Sequence, residues 1–139
     1  MSRENVEVVR RMFDAAGRRD SATVLSLYDP EVEWDNSRGP FSDLFGREVY
    51  RGHEGVRRFF REYYAPETWQ SVEDHLEELI DVGANVVSVV NTRARGRASG
   101  VEVKWTHNAG LWTIRGGRIV RVAWYGSVDE ALEAAGLRE

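Results

Sequence analysis

With 139 residues, of which 42% are hydrophobic and 11% aromatic, the chain fits one domain around one sizeable core and leaves no length for a second. The formal net charge of −4 is spread over a sequence that mixes both signs, so no field favours nucleic acid or an anionic membrane surface. Cysteine is absent, which excludes disulfides, thiolate metal sites and a Cys nucleophile. The longest nearly apolar stretch, Val86-Val87-Ser88-Val89-Val90, is far short of the roughly 20 residues of a membrane-spanning helix. Met1-Ser2-Arg3-Glu4-Asn5 leads straight into an amphipathic pattern without the apolar segment of a signal peptide, so a cytoplasmic location is expected.

Val6, Val9, Phe13 and Ala16 recur at helical spacing, with Ser2 placed to cap the first helix and Gly17 placed to end it. Val24, Leu25, Leu27 and Tyr28 predict a short second helix that Pro30 discourages from continuing. Val32-Glu33-Trp34-Asp35-Asn36 then alternates as a strand, with Val32, Trp34 and Asn36 on one face and Glu33 and Asp35 on the other. Ser37 to Arg51 is irregular and carries Phe41, Leu44, Phe45 and Tyr50; it reads either as a lid over a pocket or as a surface loop whose aromatics cover the core. Val56, Phe59, Phe60, Tyr63 and Tyr64 form the stripe of a third helix closed by Pro66.

Ser71 to Val82 fits either a helix or a strand. Three β-rich runs follow, Val86 to Arg97, Val101 to Arg115 and Arg118 to Gly126, joined by glycine-containing turns into an antiparallel meander. Apolar residues of both parities, such as Val86/Val90 and Val87/Val89, predict a sheet buried on both faces, by helices on one and by a second subunit on the other. Ser127-Val128-Asp129-Glu130 matches a capping box ahead of a last short helix that Gly136 can end. Helices gathered on one side of a curved antiparallel sheet make an α+β cone, and a pocket is expected at its wide end.

Leu27-Tyr28-Asp29-Pro30-Glu31-Val32-Glu33-Trp34, Tyr50-Arg51-Gly52-His53-Glu54-Gly55-Val56, Leu111-Trp112-Thr113-Ile114-Arg115-Gly116-Gly117-Arg118, and Trp124-Tyr125 followed by Glu130-Ala131-Leu132 come in an order and spacing with a familiar counterpart. With the element order, they make residues 1–139 as a single domain resemble the superfamily of nuclear transport factor 2, ketosteroid isomerase and the SnoaL-like polyketide cyclases. That resemblance implies a cone-shaped cavity for an apolar small molecule, a homodimer through the sheet and, in the enzymes, acid/base chemistry without cofactor or metal. In the isomerase a carboxylate base moves a proton while a Tyr and a protonated Asp steady the oxyanion. The base maps near Trp34 and Asp35 here. The oxyanion Asp maps near Asn108, Ala109 or Gly110, where no acid stands, and the first-helix Tyr maps near Met12 or Phe13. The acid that SnoaL-like cyclases carry after the last strand falls in Tyr125-Gly126-Ser127-Val128-Asp129, where the capping box claims Asp129 for a helix.

The residues that remain are few. His107 carries an imidazole, the side chain suited to acid/base work, and shares strand parity with Val103, Trp105, Ala109 and Leu111; the opposite parity holds Asn108, Gly110 and Trp112, and which set faces the pocket stays open. Asp35 and His107 are the candidate proton carriers, with Asn108 or Tyr125 steadying an oxyanion. Trp34, Phe59, Trp105, Trp124 and Tyr125 are the candidate pocket wall beside Asn108. His75, among Glu73, Asp74, Glu77 and Glu78, lacks a second ligand cluster and reads as solvated surface rather than a metal site. Two functions compete: a cofactor-independent isomerase or aldol-type cyclase on an apolar carbonyl compound, and a non-catalytic ligand-binding or protein-interaction module. A side-chain direction decides between them, because neither Asp35 nor His107 can act from outside the cavity.

Overall fold

A computed structural model of the chain describes residues 2–39 and 49–136. The elements run α1 (Ser2–Gly17), α2 (Ser21–Leu27), β1 (Tyr28–Asp35), β2 (Val49–Arg51), α3 (Gly52–Tyr63), β3 (Trp69–Val82), β4 (Asn85–Gly96), β5 (Glu102–Arg115), β6 (Arg118–Tyr125) and α4 (Val128–Ala134). Of the stretch 37–51, read as a lid or as a surface loop, residues 40–48 lie outside the described residues and Val49–Arg51 form β2.

Asp20 makes the turn between the first helices, its carboxylate accepting from Thr23 N at 3.2 Å and Thr23 Oγ1 at 2.7 Å. The buried face of α1 is Val8, Val9, Met12 and Ala15, with Val6, Phe13 and Ala16 only partly covered, so the helix sits rotated from the stripe read in the sequence. Tyr28 does not finish α2: its extended backbone opens β1. Pro30 then falls in the irregular stretch between Tyr28 and Glu33 of the β1–β6 pairing, where its missing N–H breaks no regular ladder.

The strands form one six-stranded sheet in the order β2-β1-β6-β5-β4-β3. All neighbours are antiparallel except β1 and β6, which run parallel. The ambiguous stretch 71–82 is therefore strand, because the whole length of β4 offers it a partner. Along the inner face, toward α1 and α3, lie Trp34, Val86, Val90, Trp112, Val122 and Trp124 in the main core. On the outer face Val87, Ala109, Leu111, Ala123 and Tyr125 form a smaller cluster under Ala131 of α4. Both faces are buried as the double-parity pattern implies, but at the centre of the outer one the cover is this chain's own last helix. Its cap is the one read from the sequence, with Ser127 Oγ accepting from Glu130 N at 3.2 Å. Among the described residues Val101, 58% exposed, is the large hydrophobic left in solvent. No described helix is long and apolar enough to cross a membrane.

One irregularity matters for function. Val90 pairs with Asn108 and Thr92 with Trp105, so Asn91 alone faces Thr106 and His107. This is a β-bulge, and His107 carries a left-handed φ of 55° in it. Alternation restarts beyond the bulge, which sends Trp105 and Asn108 to the same face although they are three apart.

Candidate functional site

A cavity of about 40 Å³ lies between α1, α3 and the inner face of the sheet. Period-two alternation in β1 and β6 turns Trp34 and Trp124 into it, and helical spacing from Val56 brings Phe59 over them. The Trp34 ring lies 4.5 Å from Phe59 and 6.0 Å from Trp124, centroid to centroid. Trp34 is held in orientation by Nε1 donating to Asn36 Oδ1 at 3.0 Å. Trp112 underpins this wall, its Nε1 donating to Ser88 Oγ at 2.8 Å. Gly110 makes room for both: a Cβ there would lie 2.8 Å from Ser88 Oγ, 2.8 Å from Trp112 Nε1 and 3.1 Å from the Trp124 ring.

The opposite end of the cavity is polar. Asp74 on β3 accepts from Tyr63 OH at 2.6 Å and Thr92 Oγ1 at 2.8 Å on one oxygen, and from Tyr64 OH at 3.1 Å on the other. Asn108 Nδ2 reaches Thr92 Oγ1 and Trp105 O only at 3.5 Å each, long enough to be exchanged for a better acceptor. Burial pushes the Tyr63 phenol well above its ordinary range, and the Asp74 charge adds to the shift. Tyr64 is raised in the same way, with Arg19 pulling against it. Both phenols thus stay protonated and donate to the carboxylate.

A groove of about 310 Å³ adjoins the cavity, and the two share Ala16, Phe60 and Tyr64 as common wall. Phe60 and Tyr64, one helical turn apart, stack at 5.9 Å with rings nearly parallel. Apolar Val24 and Leu25 floor the groove, and Arg19, Arg57 and Arg61 stand round it.

Trp34, Phe59, Trp124 and Asn108, expected at the pocket, line the cavity together. The others do not reach it. Asp35 points to the outer face, where it accepts from Ser37 N at 2.8 Å, Ser37 Oγ at 2.6 Å and Arg121 Nη2 at 2.9 Å. Burial alone would raise its pKa, but the Ser37 hydrogen bonds and then Arg121 outweigh it and hold the group below the usual carboxylate range. His107 projects from the bulge on the outer side, its side chain 64% exposed and its Nε2 3.8 Å from Glu77 Oε1. Tyr125 is packed in the outer cluster, because one residue of strand separates it from inward-facing Trp124. Trp105 packs inward but borders a different groove and meets Trp69 edge-on at 6.4 Å. As cavity residues, Asp35, His107, Trp105 and Tyr125 are corrected by strand parity, the bulge and the end of β5. The acid that lines the cavity and that the sequence reading did not single out is Asp74. Its signal was present: with 71–82 as strand, Val72, Asp74 and Leu76 share a parity, which sets a charge between two core-facing residues.

The fold is α+β, with an aromatic cavity between helices and sheet that ends in a carboxylate and two phenols. The chain matches the SnoaL-like domain model over residues 9–122 and belongs to that family. No curated protein matches it. Among solved structures, an NTF2-like protein of unknown function from Burkholderia pseudomallei K96243 is 22% identical, with TM-score 0.74 and coverage of 96% of this chain and 98% of that one. TerC, co-crystallised with polyporic acid, is 20% identical, with TM-score 0.75 and coverage of 96% and 99%. A proposed SnoaL-like polyketide cyclase from Jannaschia sp. CCS1 is 20% identical, with TM-score 0.69 and coverage of 95% and 90%. At these identities the likeness establishes the fold.

Proposed function

We propose that the protein binds an apolar small molecule through the groove and the inner cavity, with a carbonyl or hydroxyl of the ligand meeting Tyr63, Asn108 and Asp74. The observation that carries this reading is a Trp34–Phe59–Trp124 wall closed at one end by hydrogen-bonding groups. The co-crystal of TerC with polyporic acid supports it on the same fold. A volume of about 40 Å³ holds little more than a water-sized molecule, so a ligand enters by turning aside Phe60 and Tyr64 and joining the cavity to the groove. Thermal shift and tryptophan fluorescence against steroids, aromatic polyketides and terpenoids test this. A ligand raises the melting temperature progressively with concentration. A flat response across all three classes counts against a small-molecule site.

A second reading has its own observation. Asp74 lies in the cavity 2.6 Å from Tyr63, so a carboxylate and a phenol can share the handling of a proton next to a substrate carbonyl. In this cofactor-independent isomerase or cyclase reading, Asp74 replaces Asp35 and His107 as proton carrier, Tyr63 and Asn108 steady the oxyanion, and Tyr125 drops out. Exchange of α-hydrogen for deuterium in ketones of the binding panel is the assay. It is expected in the native protein and lost in Asp74→Asn with binding retained; exchange that survives the substitution refutes the role.

Pairing of two copies through the sheet belongs to the same proposal. Arg93, Arg95 and Lys104 cluster with Glu102 on the outer face, and surface of both signs can complement itself across a two-fold axis. A monomer mass at high protein concentration contradicts it. A cytoplasmic location is proposed with it.

A further inference from the structure

The groove outside the cavity carries a positive charge in an acidic chain. The whole chain is net −4, yet the described residues lining the groove include Arg19, Arg57 and Arg61 and no carboxylate. Arg57 and Arg61 are one turn apart on α3, and Arg19 reaches over from the turn after α1.

These guanidinium groups have donors to spare. Arg19 lies over the Tyr64 ring, 3.8 Å from its centroid, and donates Nη1 to Ala16 O at 3.0 Å, which fixes the group at the boundary between groove and cavity. Arg57 bonds Glu54 through Nη1 at 3.0 Å and keeps its other N–H groups. Arg61 has no hydrogen-bond or ion-pair partner among the described residues. Between the three arginines the surface is apolar, formed by Val24, Leu25 and Phe60. Inorganic anions gain nothing from such a floor, and a neutral apolar compound gains nothing from the guanidiniums.

We propose that this groove recognises an amphipathic organic acid, a small molecule with an apolar aromatic body and one carboxylate. The body lies on Val24, Leu25 and Phe60 and extends past Tyr64 toward the Trp34–Phe59–Trp124 wall. The carboxylate takes paired N–H bonds from Arg61 and Arg57, with Arg19 closing the third side. This inference rests on small-molecule binding at the same site and adds the chemical class of the ligand.

The test compares biphenyl-4-acetate with its methyl ester by isothermal titration, on the native protein and on the Arg57→Gln/Arg61→Gln double variant. Both substitutions lie on solvent-exposed positions of α3, and a thermal melt verifies that the variant is folded. The acid is expected to bind roughly tenfold more tightly than the ester, and the ratio of the two affinities is expected to fall to about one in the double variant. The acid's advantage should also fall with added salt. Equal binding of acid and ester to the native protein overturns the inference and leaves the binding site standing, as does an acid preference that survives the double substitution. Binding of neither compound, together with a flat response to the wider panel, overturns the underlying site as well.

Discussion

Tyr63→Phe removes one oxygen and tests the polar end of the cavity quantitatively. The Tyr63 hydroxyl, on a side chain 7% exposed, donates to Asp74 at 2.6 Å. The bond is part-buried, Asp74 itself being exposed, and a hydrogen bond to a carboxylate contributes about 2 kcal/mol, so the variant should be less stable by that amount at pH 7. The difference must then shrink in alkali. An unfolded tyrosine loses its proton near pH 10, whereas burial and then the Asp74 charge hold the folded Tyr63 protonated well beyond that. Folding therefore takes up a proton above about pH 10, and the native protein loses about 1.4 kcal/mol for each further pH unit through this residue. Phenylalanine has no proton to lose. By about pH 11.5 the penalty reaches about 2 kcal/mol and the two proteins should be equally stable. Urea unfolding at pH 7, 9, 10.5 and 11.5, with equal m-values for both proteins, measures the difference. A stability gap independent of pH would falsify the placement of Tyr63 as a buried donor to Asp74.

Gly110→Ala should cost about 1–3 kcal/mol and change the near-ultraviolet dichroism of Trp112, because the added methyl enters the space of the Ser88–Trp112 hydrogen bond; unchanged stability and spectrum contradict that packing. His107→Gly should stabilise by about 0.5–1 kcal/mol in a denaturant titration, since glycine takes the left-handed φ of 55° without strain, and ligand affinity should stay the same. A loss of affinity would put His107 at the ligand after all. Asp35→Asn should leave binding unchanged and cost about 1 kcal/mol at neutral pH. Because the Asp35 pKa is lowered on folding, its contribution is present above the ordinary carboxylate range and disappears as pH falls through it, so native and variant should converge in acid. Phe60→Ala removes the partition shared by groove and cavity and should speed ligand association in stopped-flow fluorescence, at a stability cost of about 2 kcal/mol; an unchanged rate means that the entrance lies elsewhere.

The sequence was legible where local chemistry and tertiary structure agree. The Ser127 capping box, the valine-rich strands and the aromatic stripe of α3 each formed the element their spacing predicts. It was least legible where one residue of register decides a face. Parity from Trp105 to Ala109 holds only without the bulge at Thr106 and His107, and no residue there announces a left-handed backbone as a glycine would. A second register shift between Leu76 and Glu78 turns Ile80 and Val82 to the outer cluster while Val72 and Leu76 face the main core. That mixture made 71–82 resemble both a helix and a strand, and it concealed Asp74, itself exposed, among four other acids and a histidine of the same strand. The cavity wall was easier to find, since large aromatic residues at core parity have few other places to go.

Asp74 also differs from the acids first considered in what surrounds it. Asp35 is held by Ser37 and Arg121 on the outer face and is not among the residues that line the cavity. Asp74 lies at the boundary of two spaces: it lines the inner cavity with Tyr63 and Thr92, and it lines an outer groove of about 350 Å³ with Glu73, His75 and Arg93. A carboxylate that takes a proton from a ligand must return it or pass it to solvent, and this boundary position offers both routes. Asp74→Asn decides between anchoring and chemistry. If Asp74 only anchors Tyr63 and Tyr64, asparagine, which keeps one carbonyl acceptor, should retain most of the binding and there is no exchange to lose. If it moves protons, asparagine keeps the binding and removes the exchange, because an amide accepts hydrogen bonds but is far too weak a base to take the proton.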